Sequence, residues 1–360
     1  MQHLIQSRGL TLKVYPTHRT AAAPQWVYDN IAANAGRAQL NPQGGRLGFT
    51  GGYGGVPFPI PDLSDPLAAG AQIMWNHSTR WAGTSWTYNV AAWVVQGGEL
   101  VQTSGGTDKY KCPYYDPNGS LETYKGYQIE SYTYVTAPAT SVGGEVIAKN
   151  ATNPYSTPNI VWQLLAGQGR VRKAPDVAYD TPSVYTGGIA NYDEYYGFNG
   201  ALDRYDWKFI KKMELLIPYN NNKMRLTPAQ DAHKAAFLNP DIVRWELHRV
   251  WLVEATLHPG ERNALARRRL YVDEDTWTVA ICDAWDGHGD IYKCDMTFNE
   301  VLPDLPGTVL LNTVSYNLQT SDYCSILGPW GDAPYSGPWV FGPVSDSAFD
   351  PQVMAGASAY

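Results

Sequence analysis

The chain has 360 residues, 44% hydrophobic and 17% charged, the balance of an ordinary globular protein with room for two domains or one large β domain. A net charge of −7 and an isoelectric point near 5.5 argue against a nucleic-acid partner, because no basic stripe is present to displace phosphate counterions. No window of about 18 apolar residues occurs, so no transmembrane helix is expected. The aromatic content is weighted to 13 Trp and 25 Tyr against 8 Phe, rings that suit sheet packing and also surfaces that hold sugars or lipids.

Residues 1–62 read as an irregular flank. The start MQHLIQSRGL lacks the apolar core of a signal peptide. A helix is expected over 24–35, with Pro24 in its first turn, Trp26, Val27 and Ile31 on one side, and Gly36 as a stop. The glycine run 51–55 leads into Val56-Pro57-Phe58-Pro59-Ile60-Pro61. Three prolines forbid the helix that a phosphate loop needs behind it, so this is a rigid extended connector. A second helix is expected over 65–82: Asp65 can cap it, Pro66 suits its first position, and Leu67, Ala71, Met74, Ser78 and Trp81 form its stripe before Gly83. A short third helix over 228–237 would take Thr227 as its cap.

The rest reads as strands: 85–95, 128–137, 144–150, 160–165, 170–173, 207–217, 244–257, 266–272, 277–284, 291–298 and 308–318. Turn residues at 117–119, 143–144, 258–260 and 287–289 separate them. Strands follow strands without intervening helices, which predicts an antiparallel, meander-like sheet over 63–327. The tail 328–360, rich in Gly, Pro, Trp and Ser, reads as extended packing on the same domain.

The usual catalytic signatures are missing: there is no nucleophile elbow, phosphate loop, HExxH or EF-hand loop. His248, two residues from Glu246, could join a metal site, but the sequence locates no third ligand, so it reads as a hydrogen-bonded structural residue. Arg267-Arg268-Arg269 running into Asp273-Glu274-Asp275 looks like a solvated hairpin. Asp203 and Asp206 could hold Arg204 and Lys208 in a polar network, either at a strand entry or on the lip of a cavity. Cys112, Cys282, Cys294 and Cys324 fit no zinc spacing. Cys282 and Cys294 would face each other if the turn between them centres on His288, as a disulfide or as two buried thiols. No cofactor or metal is implied.

Several runs carry a resemblance: YPTHRTAAAPQWVYDN (15–30), YGGVPFPIP (53–61), GRVRKAPDVAYDTP (169–182), FNGALDRYDWK (198–208), IPYNNN (217–222) and RWELHRVWLVEATL (244–257) on through RRRLYVDEDTW. Together they resemble domain-of-unknown-function family 1329 of the bacterial envelope, across nearly the whole chain. The resemblance implies the LolA/LolB lipoprotein-carrier architecture. This is a mainly β (α+β) fold with a strongly curved antiparallel sheet, an unclosed half-barrel, and a few helices on its concave side around a hydrophobic cavity. It further implies export to the periplasm, the numbered chain then being a processed or trimmed form. The implied role is binding or carriage of a lipid or other hydrophobic molecule, with an inner-membrane transporter and an outer-membrane protein as partners and no catalytic group. By strand and helix parity the expected cavity lining is Met74, Trp75, Trp81, Trp207, Trp245, Trp251 and Val253, with Arg249 as polar anchor. Glu246, His248 and Glu254 would then lie on the convex, wetter face. The alternatives are an envelope scaffold that docks a transporter without a ligand, and a carbohydrate-active enzyme or sugar binder using paired carboxylates.

Overall fold

The structure is a computed structural model and describes residues 1–41, 47–154, 156–174 and 179–357, the last three by backbone alone. The final three residues of the expected tail lie outside the described residues. The flank contains α1 (Gln2–Arg8), α2 (Gln25–Arg37), the strand pair β1 (Gln39–Leu40) and β2 (Phe49–Thr50), and leads to α3 (Pro66–Ser78). A first meander follows: β3 (Ser85–Gln96), β4 (Glu99–Lys111), β5 (Tyr127–Ala137), β6 (Glu145–Ala151), β7 (Ile160–Leu164) and β8 (Val171–Lys173). A linker then crosses to a second meander, which begins with β9 (Tyr205–Pro218). After the short helices α4 (Asn222–Arg225) and α5 (Ala229–Ala232) it continues with β10 (Trp245–Leu257), β11 (Arg267–Asp273), β12 (Val279–Trp285), β13 (Ile291–Leu302), β14 (Gly307–Asn317) and β15 (Tyr323–Gly328). The tail adds β16 (Val340–Phe341) against β3, then α6 (Pro351–Ala357).

The meanders form one antiparallel sheet of 14 strands, ordered β8-β7-β6-β5-β4-β3-β15-β14-β13-β12-β11-β10-β9 with β16 alongside β3. The sheet is unclosed, ending at β8 and β9, as the family resemblance implies. The seam is the pairing of β15 with β3, where Tyr323 lies opposite Val95 and Cys324 opposite Val94. The strand β15 is absent from the sequence reading, and so is β4, whose centre reads Thr-Ser-Gly-Gly-Thr. Yet Gly97 and Gly98 both have positive φ (58° and 86°) and close a two-residue hairpin with Gln96 opposite Glu99. That dipeptide is a readable turn signal for β4.

Around β10–β13 the sheet is covered on both faces. One core collects Val250, Ile281, Cys294, Met296 and Phe298 with Leu4 of α1 and Met224 and Ala229 of α4 and α5. The other collects Trp251, Val253, Leu270, Val272 and Cys282 with Ile73, Met74 and Trp75 of α3. The linker runs across this second face. Glu194 there pairs with Lys293 of β13 at 2.7 Å and Asp193 with Arg268 of β11, all four buried. Arg268 is therefore a fully buried ion-pair partner; the expected solvated hairpin does not exist there because the linker lies on top of it.

Double coverage also overturns the expected faces of β10. Glu246 and His248 are buried, while Leu247 and Arg249 are exposed. The covering groups are the N-terminal segment, where His18 N–H donates to Glu246 at 2.7 Å, and Tyr219, which stacks on His248 at 3.9 Å. Cys282 and Cys294 also depart from their expected pairing. A bulge at Tyr292 shifts the register, so Cys282 lies opposite Asp295 and Cys294 opposite Asp283. One extra residue turns the side chains to opposite faces, and both cysteines are buried free thiols in different cores.

The expected helix over 65–82 starts as read: Asp65 Oδ1 accepts from Leu67 and Ala68 N–H at 2.9 and 3.1 Å. It ends four residues early, at Ser78, where Thr79 donates its hydroxyl to Trp75 O (2.7 Å) and Arg80 binds His77 O (2.8 Å). The helix over 24–35 runs through Gly36 to Arg37. The helix expected over 228–237 is a single turn, because His233 leaves it to bridge Leu238. Thr227 donates to Lys223 O instead of capping; Asp332 of the tail accepts from Ala229 N–H.

The tightest helix–sheet approach is at Gly70 of α3. A Cβ there would lie 2.4 Å from Trp207 O and 2.6 Å from Trp207 C. Both atoms are backbone of β9 and cannot swing aside, so Gly70→Ala is expected to cost about 1–3 kcal/mol or more of unfolding free energy by overpacking. Urea denaturation of the variant beside wild type measures this; an unchanged midpoint would show that α3 can lift off β9.

Candidate functional site

A cavity of about 890 Å³ opens between the flank and the β9–β11 end of the sheet. Its apolar walls are Val27, Tyr28 and Ile31 of α2, the connector residues Val56 and Pro59 to Pro61, Leu63, Trp81 and Tyr115. Across from them stand Trp251 of β10 and Trp277 in the β11–β12 turn, stacked with centroids 5.8 Å apart and planes 14° from parallel. Trp81 meets Tyr115 edge to face at 5.0 Å and donates Nε1–H to Pro306 O at 3.2 Å. Such pairs fix ring orientation beyond simple burial.

The rim is polar and charge-balanced. Arg19 Nε donates to Asp275 at 2.7 Å, and Lys212 binds Glu274 at 2.9 Å. Lys212 Nζ also sits 3.8 Å from the Trp251 ring centroid, a cation–π contact. Each rim carboxylate is thus committed to a cation.

The local sequence sets this geometry. Three prolines hold the connector extended, so Ile60 (84% exposed) projects at the mouth. A bulge at Ile210 keeps Phe209 and Trp207 on the same face of β9 as Lys212. Trp277 has φ 59°, uncommon for a bulky side chain. Its turn is tied by Asp273 N–H to Thr278 O (2.8 Å) and by Trp277 N–H to Asp273 O (3.0 Å). His77 of α3 braces it from below. Nε2–H donates to Phe198 O at 3.0 Å, and Nδ1, 3.0 Å from Trp277 O, accepts from Val279 N–H at 3.2 Å, the pattern of a neutral ring.

Of the residues the sequence singles out for a cavity, Trp81 and Trp251 line this one. Trp81 does so because the helix stops short of it. Met74, Trp75, Trp207 and Val253 pack in the core beneath, and Trp245 packs in the opposite core beside Val14. Arg249 points outward and pairs with Glu274 at 2.7 Å. Asp203, Arg204 and Asp206 lie elsewhere: Asp203 accepts from Tyr179 (2.8 Å), Arg204 stacks over the Tyr179 ring (3.4 Å), and Asp206 faces His258 (3.6 Å). Sequence reading misses Tyr28, Ile60, Leu63 and Trp277. The family-like runs 15–30 and 53–61 contain the first two, so the flank carries the wall.

This geometry defines a class: proteins of one large unclosed antiparallel sheet, with helices and a flank packed on it around an apolar cavity. The chain belongs to the family described as protein of unknown function DUF1329, whose model matches residues 1–352. It is similar to the uncharacterized protein PA3922 of Pseudomonas aeruginosa, 36% identical over 293 residues, 78% of this chain and 61% of that protein. The chain thus spans about three-fifths of that relative's length. In structure it is similar to a DUF1329 family protein of Desulfovibrio piger (TM-score 0.51, 13% identity, 81% of this chain and 99% of that one). It is also similar to a domain from Vibrio parahaemolyticus described as an outer membrane lipoprotein-sorting protein domain (TM-score 0.53, 11% identity, 80% and 99%). These two likenesses show the fold. Among the described residues no helix is long and apolar enough to cross a membrane.

Burial, and after it the Arg80 guanidinium, push the His77 imidazole down to about 3 from its ordinary 6.5. The unfolded chain takes up this proton below pH 6.5 and the folded one does not, so the stabilisation is complete above 6.5 and is lost as pH falls toward 3. Urea titrations at a series of pH values should show a stability slope between pH 6 and 4 that flattens in His77→Gln; an equal slope in the variant would assign it to other groups.

Proposed function

We propose that the protein is a periplasmic carrier that holds a lipid or other hydrophobic molecule between the sheet and the flank, working with an inner-membrane transporter and an outer-membrane protein. The observation that carries this reading is the cavity of about 890 Å³, walled by aliphatic and aromatic side chains and rimmed by ion pairs. Its volume falls in the range of small-molecule sites, roughly 300–1,000 Å³. The apolar wall suits a hydrocarbon tail and the charged rim suits a polar head. Burying a 16-carbon chain at ~0.8 kcal/mol per methylene supplies roughly 13 kcal/mol gross, from which ordering and desolvation costs leave a usable affinity. The lipoprotein-sorting description of the Vibrio domain supports the same reading.

The rim carboxylates favour binding over glycoside hydrolysis. Glu274 is paired with Lys212 and Arg249, and Asp275 with Arg19, so both are engaged as ion-pair partners on the rim. Ile60 and Leu63, exposed at the mouth, also suit the adaptor reading in which this rim docks a membrane partner.

Native mass spectrometry of the full chain expressed with export to the periplasm is expected to show a co-purifying apolar ligand. Ile60→Glu and Leu63→Glu, changed at exposed positions, should reduce binding of a fluorescent fatty acid by tenfold or more at unchanged circular dichroism. A ligand-free wild type that captures an envelope transporter would favour the adaptor, and unchanged fatty-acid binding in both variants would remove the cavity from the mechanism.

A further inference from the structure

Next to the cavity the chain assembles a cluster that the carrier reading does not use. On β10, His248 Nε2 lies 3.3 Å from Glu246 Oε2. Glu246 is held in turn by His18 N–H (2.7 Å), Asn220 Nδ2 (2.9 Å) and the Arg244 guanidinium. A carboxylate at Nε2 places the proton there and leaves the Nδ1 lone pair free. Nδ1 faces Asp273 Oδ1 at 4.0 Å, beyond hydrogen-bond reach. Asp273 is 1% exposed; its Oδ2 accepts from Thr276 N–H and hydroxyl (2.9 and 2.7 Å), and its Oδ1 has no hydrogen-bond partner. The buried hydroxyl of Tyr219, whose ring stacks on His248, faces the same Asp273 carboxylate without normal hydrogen-bond geometry. Asp275, whose two oxygens also accept from the exposed Arg19 side chain, reaches the same point: one ligating atom each from His248, Asp273 and Asp275 lie within 4.8 Å of one another.

Two acceptors facing each other inside a protein are costly unless something sits between them. The charges agree. Arg244 offsets Glu246 and Arg19 offsets Asp275, while Asp273 has, among the described residues, no Lys or Arg within ion-pair distance.

We propose that His248 Nδ1, Asp273 Oδ1 and Asp275 form a binding site for a first-row divalent transition cation, with Zn²⁺ as its representative. Ligand bonds of about 2.1 Å on either side span the 4.0 Å gap with a small closure. One imidazole with two carboxylates suits Zn²⁺ or Mn²⁺ better than Ca²⁺, which takes oxygen ligands. Glu246 is the outer carboxylate that orients the ligating ring, the usual partner of a metal-bound histidine. The ion would also fix the turn that carries Trp277 into the cavity wall. The inference stands on this cluster and not on the carrier reading, and its readout is the ion alone.

The test uses the full chain, stripped with a chelator and titrated by calorimetry and tryptophan fluorescence with Zn²⁺, Mn²⁺ and Ca²⁺ alone. One equivalent of Zn²⁺ is expected to bind, with Ca²⁺ at least tenfold weaker. Asp273→Asn and His248→Gln should each weaken Zn²⁺ at least tenfold, and Glu246→Gln roughly 10–100-fold. Asp275→Asn, on a partly exposed turn, serves where a buried variant fails to fold. Absence of saturable Zn²⁺ binding, or binding unchanged by Asp273→Asn or Asp275→Asn in protein with wild-type circular dichroism, overturns the site and leaves a proton shared between His248 and Asp273 as the explanation.

Discussion

Lys293 and Glu194 form an ion pair from which water is excluded, and the path of the chain between its two meanders depends on it. Desolvating both groups costs several kcal/mol each, so the pair persists only where every acceptor is used. Here it is: Glu194 accepts from Lys293, from the Ser315 hydroxyl (3.0 Å) and from Asn191 N–H (2.7 Å), while Lys293 also donates to Ile189 O (2.7 Å). Burial, and after it the Glu194 charge, push the nearby Asp295 carboxyl well above the usual carboxylate range. Removing either partner would strand a buried charge, so the linker can lie in one place only. Around 184–186 the linker also packs on β3, β4 and β15, across the seam between the two meanders.

The linker covers β11 and β13 on one face, and the N-terminal segment with Tyr219 covers the start of β10 on the other, leaving Leu247 and Arg249 of β10 as its exposed positions. That is why the alternation rule, sound for a sheet with one solvated side, misleads on β10. Glu246 and His248 look like surface residues in a list of alternating positions, but Tyr219, Asn220 and His18 arrive from distant parts of the chain to cover them. Leu247 looks like core and stays 45% exposed. Parity tells which residues share a face; only tertiary packing tells what that face meets.

Other features were legible because their causes are local. Asp65 followed by Pro66 starts α3 whatever surrounds it, and turn residues every ten or so positions dictate an antiparallel meander. The termination of α3 was not legible, since Thr79, Arg80 and Tyr115 end it through contacts that begin beyond the helix. Strand β15 was missed because six residues carry little periodic signal; it is held by β14 on one side and by β3, more than 220 positions earlier, on the other. The half of the cavity contributed by the sheet was partly legible, through Trp251. In the half contributed by the flank, Val27 and Ile31 were legible as one side of a helix, but the prolines and alanines around them show no period and acquire meaning only when laid against Trp81 and Trp277.

The turn from Asp273 to Thr278 is where these strands of argument meet. Within six residues it places Asp273 under His248, Asp275 and Glu274 on the rim, and Trp277 in the wall. Trp277 adopts a left-handed backbone that a bulky residue avoids unless the surroundings impose it, and here the backbone bonds between Asp273, Trp277 and Thr278 hold it. The helix that braces the sheet, the cluster around His248 and the hydrophobic hollow therefore share one short segment. The Asp273 backbone bonds Trp277 and Thr278 while its carboxylate bonds Thr276, so one residue ties the cluster around His248 to the turn that carries the indole on the cavity side.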